Sequence, residues 1–240
     1  MLVNTDSDAQ FQRYLDRVER ALYPELAGVL STGIRLQVNR NAVQAEDYIN
    51  ERGGALLLRT YRRVYRDQYR AVGQQLRDTT KADTVSDFLM EQSRFLVGEA
   101  GRQIRNISES QRKQISDIVL NMAAEGKSSE AIAREISRQA PDIARPRAAT
   151  IARTETHNSA VAAVDATLVY KGITPKSKTW WSAQDTRVRP THQEAHGQQV
   201  PYNQAFKVGG ASMMLPGDSS MGAGPEEIIN CRCAVMFDAT

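Results

Sequence analysis

The sequence predicts an α+β fold, with a predominantly helical N-terminal part followed by a compact α+β module that carries a small sheet. Three observations predict it. Apolar residues recur at helical spacing through roughly the first 170 residues, as in Phe11, Tyr14, Leu15, Val18 and Leu22. After Gly172 prolines and glycines become frequent and short β-type runs replace the helical period. At 240 residues, 41 % apolar and 25 % charged, the chain has the composition of one large or two small globular domains. The boundary falls at residue 128, giving a helical region 1–127 and an α+β module 128–240.

Each element follows from a local signal. Pro24 ends or kinks the first helix, because proline lacks an N–H and its ring clashes with the preceding turn. Gly53-Gly54 marks a break before a long helix over about 55–77. Further helices are expected over about 84–104 and 108–124, with Gly126 as a C-terminal stop. Ser128 caps the next helix. Pro141 and Pro146 punctuate a loop, and Pro146 opens a helix that runs through Arg153 to about Tyr170 and stops near Gly172. Strands are expected at 177–182, 199–202 and 228–237. The stretch 209–224, rich in Gly, Ser and Met, reads as a flexible loop.

Bulk properties exclude some classes. No apolar run approaches the length that spans a bilayer. Asp6 and Asp8 come early and no apolar h-region follows, so a secretory signal is not expected and the chain should stay in the cytoplasm. The two cysteines, Cys231 and Cys233, are one residue apart and badly placed to bond to each other.

The net charge of +3 is small, but its distribution is uneven. Between Arg52 and Arg77 there are seven arginines and one acid, Asp67. At about 100° per residue, Arg59, Arg62, Arg63, Arg66, Arg70 and Arg77 share one face of the 55–77 helix. Leu57, Tyr61, Val64, Tyr65, Val72 and Leu76 share the other. Like charges at i,i+4 repel, so a one-sign face suits a polyanion or an acidic protein surface, and guanidinium forks suit phosphate. The alternative is a solvated face, or one paired with acids such as Asp83, Asp87 and Glu91. The tyrosines belong to the buried side.

All the histidines and cysteines lie in the last 90 residues. His192 and His196 are four apart, and Pro190 and Gly197 bracket a helical turn that puts both rings on one face. Together with Cys231 and Cys233 they make a sufficient tetrahedral zinc set, with Asp185 or Asp218 as an alternative fourth ligand. The other reading is a small packed core, in which His192 bonds Asp185 or a backbone carbonyl and the cysteines pack as small hydrophobes. Two enzymatic signatures are near misses. A zinc deaminase needs Pro-Cys-x-x-Cys, and 230–233 has neither the proline nor the spacing. A His-Glu-x-x-His metalloprotease needs its glutamate one place before Glu194. Arg153, Glu155, Asp185, Arg187 and Arg189 form a charged set whose expected role is architectural, with Arg153 or Glu155 pairing a charge of the 185–189 segment.

These residues fall in five ordered motifs: Ala152-Arg153-Thr154-Glu155, Trp180-Trp181, Asp185-Thr186-Arg187-Val188-Arg189-Pro190-Thr191-His192, Leu215-Pro216-Gly217-Asp218 and Ile229-Asn230-Cys231-Arg232-Cys233. The series resembles the phage head morphogenesis domain, the Mu F-like minor capsid family of tailed bacteriophages, over roughly residues 128–237. Before Gly197, where the family has an acidic or amide residue, this chain has His196. The resemblance implies a non-enzymatic minor capsid protein, located in the virion interior near the portal and in the host cytoplasm during assembly. The partners it implies are the portal protein, viral DNA bound without sequence preference, and scaffold or major capsid protein. Two other functions fit the residues: a zinc-dependent hydrolase or nucleotide-modifying enzyme built on His192, Cys231 and Cys233, and a cytoplasmic DNA-binding protein with a structural zinc.

Overall fold

The computed structural model of the protein describes residues 2–4, 8–38, 42–76, 82–125 and 127–239. A short strand β1 (Leu2–Asn4) precedes four long helices, α1 (Asp8–Val38), α2 (Ala42–Gln75), α3 (Ala82–Ala124) and α4 (Ser129–Tyr170). After α4 come β2 (Ser177–Trp181), α5 (Pro190–Glu194), β3 (Gln199–Pro201), β4 (Phe206–Val208), β5 (Ala211–Met213), α6 (Pro225–Ile228) and β6 (Ala234–Asp238). The α+β class holds.

The helices are longer than the local signals suggest. α1 runs through Pro24. Leu22, Leu26, Leu30 and Ile34 are all buried at i,i+4 spacing along it. An interior proline costs about 3 kcal/mol, whereas each buried leucine contributes about 1.5–3 kcal/mol, so packing on both sides prevails. α2 likewise runs through Gly53-Gly54, with Ala45 and Ile49 buried before them and Leu56 and Leu57 after. α3 is one helix where two were expected, since its sequence holds no proline and its two glycines cost only about 1 kcal/mol each. α4 passes through both Pro141 and Pro146 instead of looping there. Its ridge of Ile136, Ala140, Ala144, Ala148 and Ala152 is buried throughout.

The ends of α4 follow the sequence. The Ser128 hydroxyl accepts from the Ala131 N–H at 3.3 Å, an N-cap. At the other end Gly172 (φ +68) donates to Val169 O and Ile173 to Leu168 O, both at 2.9 Å. This is a Schellman stop. Gly126 lies outside the described residues.

The chain packs as two compact units assembled from alternating stretches. One contains residues 1–19, 61–92 and 153–240, the other 20–60 and 93–152. Residue 128, the boundary expected from the sequence, lies in the link between α3 and α4 and inside the second unit. The second unit is all helical. In it Gly33 lets α1 approach α2, because a Cβ there would meet Ile49 Cδ1 at 2.4 Å.

The first unit holds both sheets. One is four-stranded and antiparallel in the order β1-β6-β2-β3, and β6 therefore lies between β1 and β2. Lys178 and Trp180 on β2 face inward and are buried, with Lys178 Nζ 5.4 Å from the Phe206 ring centre. The core joins Phe11, Leu15 and Val18 of α1, Val64 and Val72 of α2, and Val161, Val164 and Leu168 of α4 to Trp180, Val235 and Phe237 of the sheet. The other sheet is the β4–β5 hairpin. Its two loop residues, Gly209 and Gly210, both have positive φ (+55 and +84). That is the conformation a tight two-residue hairpin demands. The 209–224 stretch is thus built structure at its start, with Met213 fully buried, and not a flexible loop throughout. The expected 228–237 strand begins only at Ala234, because α6 and a turn occupy the residues before it.

Candidate cysteine–histidine site

From Arg153 onward the five sequence motifs all lie in the first unit, and three of them, 152–155, 185–192 and 229–233, are hydrogen-bonded to one another. Asn230 adopts a left-handed conformation (φ +57), which Asn tolerates better than most side chains. Its N–H donates to Thr154 Oγ1 at 3.0 Å and its Oδ1 accepts from Arg153 Nη1 at 3.1 Å. Arg153 also pairs with Glu19 at 3.1 Å, and Glu155 accepts the Tyr61 hydroxyl at 2.5 Å. Among the described residues Arg153 does not pair with the 185–189 segment. Residues 153 and 155 leave α4 in different directions, and each meets the element packed on its own side.

Asp185 instead takes a two-pronged bond from Arg232, with both contacts at 2.6 Å. Arg187 donates its N–H to Asp185 at 2.9 Å, and Arg189 donates to the Ile229 carbonyl. Gly217 of the Pro-Gly-Asp loop lies against α4, where a Cβ would fall 2.0 Å from Asn158 Oδ1. The Arg232 hydrogen bonds hold the Asp185 carboxyl well below the usual carboxylate range. A depressed pKa means that the pair contributes its full stability above the ordinary carboxylate pKa and loses it only as the pH falls through the depressed one. Asp185→Asn should therefore cost about 1–2 kcal/mol at pH 7 in urea melts, discounting a charge-assisted bond for partial exposure. The gap between wild type and variant should close only in strong acid.

At the centre are His192, Cys231 and Cys233, each 1 % exposed. Pro190 starts α5 and its single turn aims His192 inward. His192 Nδ1 lies 3.2 Å from Cys233 Sγ and 3.8 Å from Cys231 Sγ. These three ligand atoms all lie within 4.8 Å of one another, so the group could hold a metal ion. On the other side of the ring, His192 Nε2 lies 2.9 Å from Glu227 Oε2, an oxygen that also accepts the Thr191 hydroxyl at 3.0 Å. Glu227 is itself buried, in space that Gly209 leaves open: a Cβ there would sit 2.3 Å from Glu227 Oε1. His157 Nε2 donates to the Cys233 carbonyl at 2.7 Å. Burial pushes the Cys231 thiol up, but the bond from Cys233 and the nearby His157 and His192 outweigh it, and the net direction is down. The bond to Cys231, with burial, pushes Cys233 up.

His196 does not join the group. α5 ends at Glu194, so the two histidines do not share one helical face. His196 Nδ1 accepts the Ser182 N–H at 3.1 Å and its ring packs on Trp181, with centres 4.6 Å apart. Asp185 is held by Arg232, and Asp218 accepts the N–H groups of Met214 and Ser220. Neither serves as a fourth ligand. Glu194, the glutamate of both enzymatic near misses, is exposed. Glu227, Arg232 and His157 were not singled out in the sequence, because their partners lie 35, 47 and 76 residues away.

The arginine helix is α2. Leu57, Tyr61, Val64, Tyr65 and Val72 are buried, as the seam required. In the second unit Arg59 pairs with Glu25 at 2.6 Å. In the first unit Asp67 alone serves both Arg63 (3.8 Å) and Arg66 (3.3 Å). Arg62 and Arg70 are exposed and form no ion pair among the described residues. Arg77, and the Asp83 side chain weighed as a partner, lie outside the described residues.

The family model described as phage Mu protein F like protein matches residues 113–236, just over half of the chain. No curated protein and no solved structure matches it.

Proposed function

Because the chain belongs to the phage Mu protein F like family of head morphogenesis proteins, we propose that it is a minor capsid protein stationed inside the head near the portal vertex. There it helps DNA packaging or delivery, and it contacts DNA phosphates or an acidic portal surface. The observation that carries the contact is the arginine face of α2: Arg62, Arg63, Arg66 and Arg70 stand partly or fully exposed against one carboxylate, Asp67. A structural role suits the site, since three of the five motifs, those holding Arg153, Asp185 and Asn230, are joined by mutual hydrogen bonds within one unit. Scaffold or major capsid protein is a further partner during assembly. No helix among the described residues is long and apolar enough to cross a membrane. The metal that suits the cysteine–histidine group is zinc, since two sulfurs and an imidazole are its preferred donors. In this reading the ion holds structure and does not turn over substrate.

The test is to purify heads assembled with and without portal protein. The protein should accompany the portal-containing heads, and it should co-sediment with isolated portal rings. Its absence from both would remove the proposal.

A further inference from the structure

We infer that His192, Cys231 and Cys233 form a three-donor zinc site, that Glu227 orients the histidine, and that the fourth position takes a small ligand from outside the chain. This rests on the zinc reading above and adds how the ion is coordinated.

The distances fit the ion. With Zn–S about 2.3 Å and Zn–N about 2.0–2.1 Å, a tetrahedral zinc separates a sulfur from a nitrogen by about 3.6 Å. The two sulfur–nitrogen separations, 3.2 and 3.8 Å, bracket that value. The ring is set for it as well. The Glu227 carboxylate, 2.9 Å from Nε2, places the ring proton there and leaves the Nδ1 lone pair facing both sulfurs. A carboxylate on the remote nitrogen is the usual means of orienting a metal-bound histidine. The Thr191 hydroxyl in turn fixes that carboxylate.

A second observation comes from the tryptophan beside the histidine. The Trp180 indole N–H is fully buried and has no hydrogen-bond partner, and the indole stands edge to face with the His192 ring, their centres 5.4 Å apart. A core packed only from small hydrophobes has no use for a buried carboxylate and an unpartnered indole N–H around a histidine and two cysteines.

No described residue supplies a fourth donor. Glu227 is on the far side of the ring, His157 is committed to the Cys233 carbonyl, Asp185 to Arg232, and Asp218 to its own loop. A tetrahedral ion must then take its last ligand from solvent. The three donors are 1 % exposed, so that ligand is small, a water or a compact anion.

The full-length protein should carry close to one equivalent of zinc when purified without chelator. Replacing it with cobalt should give the visible bands of a four-coordinate ion together with sulfur-to-cobalt charge transfer in the near ultraviolet. Titrating azide into the cobalt protein should shift the visible bands and leave the charge-transfer band in place. Protein that takes up neither metal overturns both the zinc reading and this inference. Cobalt protein with the sulfur band but indifferent to azide overturns the open position and leaves the zinc reading standing. Glu227→Gln keeps the shape of the site and should lower zinc affinity about 10–100-fold in competition with a chromophoric chelator. Unchanged affinity would refute the orienting role of Glu227.

Discussion

A chain that starts at residue 128 should fail to fold, although it contains all five motifs and most of the family match. In limited proteolysis it should be cut at many sites within the time the full chain resists, and its near-ultraviolet dichroism should be weak. The cause is the composition of the first unit. Phe11, Leu15, Val18, Val64 and Val72 are all at most 6 % exposed in the core that also holds Trp180, Val235 and Phe237. Each such side chain contributes about 1.5–3 kcal/mol by burial. Removing five forfeits on the order of 10 kcal/mol, comparable to the whole stability of a domain, about 5–15 kcal/mol. The truncation also strips β1 from β6, leaving an unpaired edge, and takes away Tyr61 and Glu19, the partners of Glu155 and Arg153. A 128–240 fragment that melts cooperatively near the full-length midpoint would show that these segments merely decorate the module.

The second large effect concerns the arginines. Arg62, Arg63, Arg66 and Arg70 changed together to Gln should weaken binding to random-sequence duplex DNA at least about tenfold at moderate salt. The change should also flatten the dependence of log affinity on log salt by about 3–4, near 0.9 for each phosphate that is no longer neutralised. Affinity should fall equally across sequences, because contacts to phosphate carry no sequence information. Arg59→Gln is the contrast: its guanidinium is already paired with Glu25 at 2.6 Å, so it should change little. The substitutions leave the buried seam untouched, so the far-ultraviolet spectrum should not move. If the quadruple variant binds DNA as the wild type does, the arginines serve the portal surface or nothing.

What the sequence revealed follows from the range of the interactions involved. The Schellman stop at Gly172 and the Ser128 cap are local and were readable, as were β2 and β3. A helix end at Pro24 and breaks at Gly53-Gly54, Pro141 and Pro146 do not form for one reason: a local penalty of a few kcal/mol is outweighed by burial on both sides of it. β1 has three residues, too few for an alternating pattern. The β4–β5 hairpin did leave a signal, Val208-Gly209-Gly210-Ala211, in which two glycines separate two short strands. At the site, His192, Cys231 and Cys233 were legible because such side chains are scarce here. The misplacement of His196 came from extending a single turn of helix by two residues. Arg232 sat inside a recognised motif, yet its partner was invisible, since nothing in the sequence says that the loop at Asp185 folds back over the strand entry.

The position of β6 has a consequence for the order of events in the cell. Leu2 pairs with Asp238, and β6 must enter between β1 and β2. Nearly the whole chain has to leave the ribosome before the sheet can close. Contacts this distant in sequence form slowly, since a long loop is closed before any pairing rewards it. The newly made protein therefore passes through a period with helices formed and the sheet open, during which the core residues of α1 and α4 have no cover. Expression at low temperature or with abundant chaperones should raise the soluble yield more for this chain than for one whose sheet neighbours are adjacent in sequence.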